Sequence, residues 1–269
     1  MQFAVRTKSE ILNIQNMIQS NKIIQGLWVN GSLNNLQCLC IKSFLSNGHD
    51  FHLYTYNSEI EAPLGTTIIY AGEIIPEKDI FLDERGGLST FADMFRYELL
   101  YIKGGWWVDM DIVCLRSFDF KSDYIFGSEY VNFAGNSKPI INIGVMKVPP
   151  KSDIMQYCKD TANKVWKTDY PNIQWAAFGR KVLDLYMEMN EEYKKYIQHP
   201  HVFCPLPFFL NNLFYNDILI DFTEKTYSIH FWNELTRQKN VNMNDVFHSN
   251  SIFERYKNLY KVTSMRSVF

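Results

Sequence analysis

Two adjacent glycines, Gly104 and Gly105, separate a helical stretch from an apolar, strand-like one, and that junction constrains the fold more than any other feature of the chain. Upstream, Phe91, Phe95, Leu99 and Ile102 recur at helical spacing across residues 89–103, and Ser89 is placed to cap the first turn. Downstream, residues 106–115 read as a strand. Glycine ends a helix without steric cost and allows a turn that a Cβ would block, so the pair can bring the strand back beside the helix.

The same alternation precedes the junction. Residues 22–29 read as a buried strand, 32–46 as a helix closed by Asn47-Gly48, and 51–56 and 66–70 as two further strands. Strand, helix, strand at this pitch predicts βαβ units and a largely parallel sheet, which is the α/β class. Further along, residues 140–148 read as a strand ended by Pro149-Pro150, 154–166 and 176–189 as helices, and 226–232 as a final strand or loop. Near the start, Thr7 and Glu10 make a capping box ahead of Ile11, Ile14 and Ile18, which predicts a short N-terminal helix.

With 269 residues the chain suits one large domain. Hydrophobic residues at 46% and charged residues at 21% place it among soluble globular proteins. The net charge of −2 lacks the basic excess with which a duplex-binding protein matches the phosphate charge of its partner, so nucleic acid is set aside. Five cysteines, an odd number with no CxxC pair, argue against a disulfide framework or a zinc site and for a reducing compartment. The first ten residues have no apolar core of a signal peptide, and no run of 18 apolar residues occurs. The expected location is cytoplasmic.

The chemistry concentrates in residues 93–111. On a strand, Asp109 and Asp111 would point to one face, with Val108, Met110 and Ile112 on the other. Two carboxylates that close repel unless a cation compensates, and a hard divalent ion prefers oxygen ligands. Two carboxylates leave open positions on Mg²⁺ or Mn²⁺ that diphosphate oxygens can fill. Asp93 and Arg96, three apart on the preceding helix, share a face. Arg96 is a planar cation suited to phosphate or sugar oxygens, and Asp93 can accept from sugar hydroxyls. Taken singly, an Asp-x-Asp pair is often solvated loop charge and an i,i+3 ion pair is worth little. Their combination with the double glycine and Trp106-Trp107 carries the weight.

The pattern Asp93-x-x-Arg96, Gly104-Gly105-x-Trp107-x-Asp109-x-Asp111 resembles the DXD-motif sugar-binding glycosyltransferases. That group spans relatives of the yeast initiating mannosyltransferase, Golgi α-1,4-galactosyltransferases and bacterial capsular and O-antigen enzymes. Its core is shared with clostridial glucosylating toxins. Ile23-Ile24-Gln25-x-x-Trp28 resembles the family's opening strand, and Ser228-Ile-His-Phe-Trp-Asn233 its closing His-x-Trp segment. Two departures are Gln25 for the common His and Trp107 for the usual Tyr.

The resemblance implies a GT-A (nucleotide-diphospho-sugar transferase) domain over residues 1–269. Residues 22–150 would form the nucleotide-sugar-binding core, and 151–269 the acceptor-side and C-terminal helical region. It implies a nucleotide-sugar donor, commonly UDP-hexose, a Mn²⁺ or Mg²⁺ ion, and transfer with retention. By matched position, Asp111, Asp109 and His230 would ligate the metal, and Asp109, Asp111 and Arg96 would serve catalysis. Trp28, Asp93, Arg96, Gly105, Trp107, Asp109 and Trp232 would contact the donor. The expected acceptor is a glycan or lipid-linked oligosaccharide in bacterial surface-polysaccharide synthesis.

Other expectations come from the flanks. Asn142, Glu129 and Asn132 are candidates for the acceptor cleft, and Trp175, Phe178 and Gly179 resemble a weak acceptor segment. The C-terminal stretch from Phe253 mixes basic and aromatic residues and can lie on an anionic membrane surface, at the inner face. A terminal helix packed on the domain is the competing expectation. Rival functions are a haloacid-dehalogenase-type phosphatase, which places its Asp-x-Asp near the first strand, a glycosyltransferase effector modifying protein, and a non-catalytic nucleotide-sugar binder.

Overall fold

The structure, a computed structural model, describes residues 21–133 and 135–262. The helix expected around Ile11, Ile14 and Ile18 lies outside the described residues. Six strands form the main sheet: β1 (Ile23–Trp28), β2 (Asp50–Thr55), β3 (Thr66–Tyr70), β4 (Gly105–Val108), β6 (Ile125–Phe133) and β7 (Asn136–Val148). Their spatial order is β3-β2-β1-β4-β7-β6. The first four in that order run parallel, and β7 and β6 complete the sheet antiparallel. A separate two-stranded antiparallel ribbon pairs β5 (Ile112–Cys114) with β8 (Ser228–His230).

Strand alternation sends neighbouring side chains to opposite faces, and each face has its own apolar core. On one face, Ile24, Phe51, Trp106 and Val108 pack with Leu39 and Phe44 of α1 (Asn35–Ser46). On the other, Leu27, Tyr54, Trp107 and Met146 pack with Phe91, Phe95 and Leu99 of α2 (Ser89–Lys103). The second layer continues through α3 (Asp153–Asp169) and α4 (Arg180–Met189). This mostly parallel sheet between helical layers is the α/β arrangement expected from the sequence. No helix among the described residues is long and apolar enough to cross a membrane.

Several boundaries differ from the sequence reading. Helix α1 begins at Asn35, not at residue 32, because Asn34 caps it reciprocally with Gln37. Helix α2 starts at Ser89, but Ser89 does not cap it. The Ser89 and Thr90 hydroxyls donate instead to buried Asp83. Helix α4 begins at Arg180, four residues later than expected. Gly104 (φ +63°) is required where expected, since a Cβ there would sit 2.4 Å from Pro150 N.

The largest correction concerns residues 106–115, which are not one strand. Strand β4 stops at Val108, Asp109–Asp111 form a turn in which Ile112 N–H donates to Asp109 O at 3.1 Å, and β5 departs to pair with β8. The crossing is possible because β1 has no side chain at Gly26, where a Cβ would meet Met110 Sδ at 2.8 Å.

The described part of the C-terminal tail folds as α6 (Ile252–Leu259), with Ile252 and Phe253 fully buried in the core beside α1. Those side chains pack into the domain, as the competing expectation of a packed terminal helix has it.

Candidate active site

The cleft lies at the C-terminal ends of the parallel strands, where α/β sheets present ligand sites. It encloses about 430 Å³ between Trp28, Asp93, Arg96, Asp109, Asp111 and Arg237. Trp28 ends β1, Asp109 follows β4, and Asp93 and Arg96 face in from α2.

Asp109 and Asp111 converge through the turn and not through strand alternation. Asp109 N–H donates to Gly144 O at 2.8 Å, anchoring the turn to β7. On its other side, the register of β5 against β8 sets Ile112 opposite His230, and Phe231 N–H donates to Asp111 O at 3.0 Å. The tail segment is thereby zipped against the turn. His230 Nε2 comes 3.2 Å from Asp111 Oδ1, and Asn233 N–H donates to Asp111 Oδ2 at 2.6 Å. Ligand atoms of Asp109, Asp111 and His230 all lie within 4.8 Å of one another.

Arg96 does not present a free fork to a ligand. It is 2% exposed and donates from Nη1 to Asp93 Oδ1 at 2.7 Å and from Nη2 to Asp109 Oδ1 at 2.5 Å, with its guanidinium 4.9 Å from the Trp107 ring centroid. Trp107 Nε1 also donates to Asp109 Oδ1, at 2.8 Å. Arg96 and Trp107 therefore fix one oxygen of Asp109. Its Oδ2 has no protein donor among the described residues. The same holds for Asp93 Oδ2, beside which a Cβ on Gly179 would come within 2.7 Å.

The electrostatics follow from burial and pairing. Burial raises Asp93 to about 6, with Arg96 opposing and Asp109 adding to the rise. For Asp111, burial pushes up, but His230 and the Asn233 N–H outweigh it, and its carboxyl sits below the usual range. For His230, burial pushes down, and Asp111 more than reverses this, holding the imidazole well above its ordinary value.

Of the other expected residues, Trp232 stacks on His230 with ring centroids 3.8 Å apart and donates from Nε1 to Leu206 O at 3.1 Å. Gly105 does not border the cleft. It opens β4 at the far end of the strand, where Gln25 Nε2 holds Gly104 O and Trp106 O. The Gln25 departure thus lies away from the donor side.

Glu129 and Asn132 lie within β6, which runs on past Ser128. Asn142 links Glu129 to the site: Nδ2 donates to Glu129 Oε1 at 3.1 Å, and Oδ1 accepts from Gly144 N–H at 2.8 Å. Phe178 is buried, and Trp175 lies half-exposed under Arg85.

The sequence reading passed over Gly144. Between Phe126-Gly127 and Asn142–Met146 the β6–β7 pairing shifts register, and β7 bulges toward the turn. A Cβ on Gly144 would lie 2.9 Å from Asn142 Oδ1, 3.0 Å from Asp109 Oδ2 and 3.1 Å from His230 Cε1. An isolated glycine inside a strand signals such a close approach. Nothing local flags Cys40, whose thiol donates to Asp109 O at 3.7 Å, or Cys204 behind His230.

Fold and cleft together suit a glycosyltransferase. Residues 36–131 match the family described as glycosyltransferase sugar-binding region containing DXD motif. Trp28, His230 and Trp232 lie outside the matched span. Among solved structures the chain is similar to the PaToxG glycosyltransferase, with 16% identity, 70% of this chain and 81% of that one covered, and TM-score 0.45. It is also similar to the apo form of the glycosyltransferase GlyE of Streptococcus pneumoniae TIGR4, with 13% identity, coverage of 67% and 45%, and TM-score 0.36. A third is the CTP:phosphocholine cytidylyltransferase LicC of Streptococcus pneumoniae, with 10% identity, coverage of 66% and 89%, and TM-score 0.32. No curated protein matches the chain in sequence.

Proposed function

We propose that the chain is a divalent-metal-dependent hexosyltransferase that takes its sugar from a nucleotide diphosphate donor, UDP-linked, with retention of configuration. The observation that carries this is the clustering of Asp109, Asp111 and His230 ligand atoms within 4.8 Å, with Asp109 and Asp111 lining the cleft. Two carboxylates and one imidazole suit Mn²⁺ or Mg²⁺, and the undonated Oδ2 of Asp109 leaves a ligand atom available. When bound, such an ion neutralises charge developing on the leaving diphosphate.

The chain's own groups supply the rest. Arg96 cancels the mutual repulsion of Asp93 and Asp109 and locks both. Asp93 keeps Oδ2 without a protein donor among the described residues, free to accept from a sugar hydroxyl. Trp28 offers a ring face at the rim for the base, and Trp232 covers His230. Glu129 and Asn142 border the acceptor side. The acceptor is a glycan or lipid-linked saccharide of the kind used in bacterial surface polysaccharides. The exposed rings of Phe208 and Phe209, continuing from Trp232, suit the apolar faces of sugar rings.

The test is a screen of UDP- and GDP-sugars for release of nucleoside diphosphate. We expect slow hydrolysis of at least one UDP-hexose that requires Mn²⁺ or Mg²⁺ and is lost in D111N. Metal-independent hydrolysis, or full activity in D111N, overturns the reading.

A further inference from the structure

His230 has a partner on its far side that the mechanism above does not use. Its Nε2 faces Asp111, its ring lies on Trp232, and its Nδ1 is 3.8 Å from Cys204 Sγ. Cys204 is a free thiol with no exposed surface. Its position is fixed from the backbone. Cys204 N–H donates to Pro200 O at 2.8 Å, closing the short helix α5 (Pro200–Phe203). That helix is tied to β8 and the residue before it: Ser228 Oγ donates to Phe203 O at 3.2 Å, and Tyr227 N–H donates to Val202 O at 2.7 Å. Sulfur and imidazole are therefore held on two elements bonded to each other.

A neutral imidazole carries one N–H, and Nε2 offers a lone pair to a cation only if that hydrogen is on Nδ1. Metal-binding histidines fix this by donating the other N–H to a carboxylate, a carbonyl or water. Among the described residues, the hydrogen-bond partner of Nδ1 is the Cys204 sulfur. The opposite arrangement, S–H donating to Nδ1, would leave Nε2–H pointing at Asp111 and no lone pair for a metal. We propose that Cys204 is a positioning residue: its sulfur accepts the Nδ1–H of His230 and thereby holds Nε2 as a ligand beside Asp109 and Asp111. This rests on reading those three residues as a metal cluster.

The experiment has two readouts on the full chain, neither of them activity. The first is Mn²⁺ titration by electron paramagnetic resonance. C204V is expected to weaken Mn²⁺ binding about tenfold, the usual size of such a loss. C204S, which keeps an acceptor, should stay near the wild-type value. The double variant C204V/H230Q should bind no more weakly than H230Q alone, since both act through one imidazole. The second readout is the ¹⁵N spectrum of histidine-labelled, Mg²⁺-loaded protein. The His230 signal, assigned by its loss in H230Q, should report Nδ1–H in the wild type and a mixture of tautomers in C204V.

C204A replaces C204V should thermal melting show the latter unfolded. Wild-type Mn²⁺ affinity in the folded apolar variant, additive losses in the double variant, or an Nε2–H signal in the wild type overturns the proposal. If D111N abolishes Mn²⁺ binding while C204V and H230Q leave it unchanged, this proposal alone falls. If the wild type takes no Mn²⁺, or D111N binds it normally, the metal reading falls as well.

Discussion

Arg96 reaches from the middle of α2 to Asp109 across 2.5 Å, and with its other nitrogen it holds Asp93 at 2.7 Å. One guanidinium thus locks two carboxylates from different elements. Lysine keeps the charge but has a single point of contact. R96K is therefore expected to free Asp109 from its fixed orientation and to lose donor hydrolysis by about a hundredfold, as happens when positioning fails by an ångström. R96M leaves both carboxylates uncompensated and should cost about 3–5 kcal/mol of stability as well, the scale for breaking a buried pair. Kinetics of nucleoside diphosphate release, with urea unfolding of each variant, check both outcomes. An R96K enzyme with wild-type kcat would show that Asp109 needs no such lock.

Gly144 makes a second, sharper prediction. A methyl there would crowd Asn142 Oδ1, Asp109 Oδ2 and His230 Cε1 at 2.9, 3.0 and 3.1 Å. Asn142 cannot yield easily, because its amide is bonded to Glu129 and to Gly144 itself. G144A should displace the two candidate ligands and lose Mn²⁺ affinity and activity together. The stability cost should be only about 1–3 kcal/mol, the range for local overpacking. G26A is the control: its Cβ would meet Met110 Sδ, the end of a flexible side chain, so it should lose stability before it loses metal. Calorimetric Mn²⁺ titration and melting of both variants separate the two.

Burial of Asp93 gives a pH prediction. Its folded pKa, about 6, exceeds the ordinary 3.8, so the ionised form is the one that folding penalises. The penalty is absent below about pH 4, where both states are protonated, and complete above about pH 6. Wild-type stability should therefore fall relative to D93N as pH rises through that window. Melting temperatures of both proteins from pH 4 to 7 test the sign, and a gap that moves the other way would mean that Arg96 outweighs burial.

Much of this was legible in the sequence, for reasons that particular residues make clear. Helix α2 was readable because its apolar spacing and the Gly104-Gly105 stop are local, and both strand and helix signals up to Tyr70 obey local periodicity. Residues 106–115 were misread because a continuous apolar run looks the same whether it stays in one sheet or leaves it. The break depends on β8, more than a hundred residues away, and on the space that Gly26 gives Met110. The spacing of Asp109 and Asp111 does bring them together, but through a turn and not through strand alternation. That Trp107 and Arg96 also grip Asp109 is something only the pairing distances reveal. Cys204 and Gly179 reach the site through long-range packing that no spacing rule encodes.

Trp28 tests the donor end of the cleft separately from the metal end. It is half-buried where β1 stops, and its Nε1 donates to Gly31 O at 3.3 Å, leaving a ring face on the rim. If that face stacks the nucleotide base, W28A removes a contact worth about 1–3 kcal/mol, by the scale for base–aromatic stacking. The loss should appear as a raised KM for the nucleotide sugar with kcat little changed, because stacking on the base is equal in the ground and transition states. W28F keeps a ring without the indole N–H and should recover most of the affinity. If W28F is as impaired as W28A, the bond to Gly31 matters more than the ring, and Trp28 shapes the loop after β1 without holding the base. A fall in kcat with unchanged KM would move Trp28 out of the base site altogether.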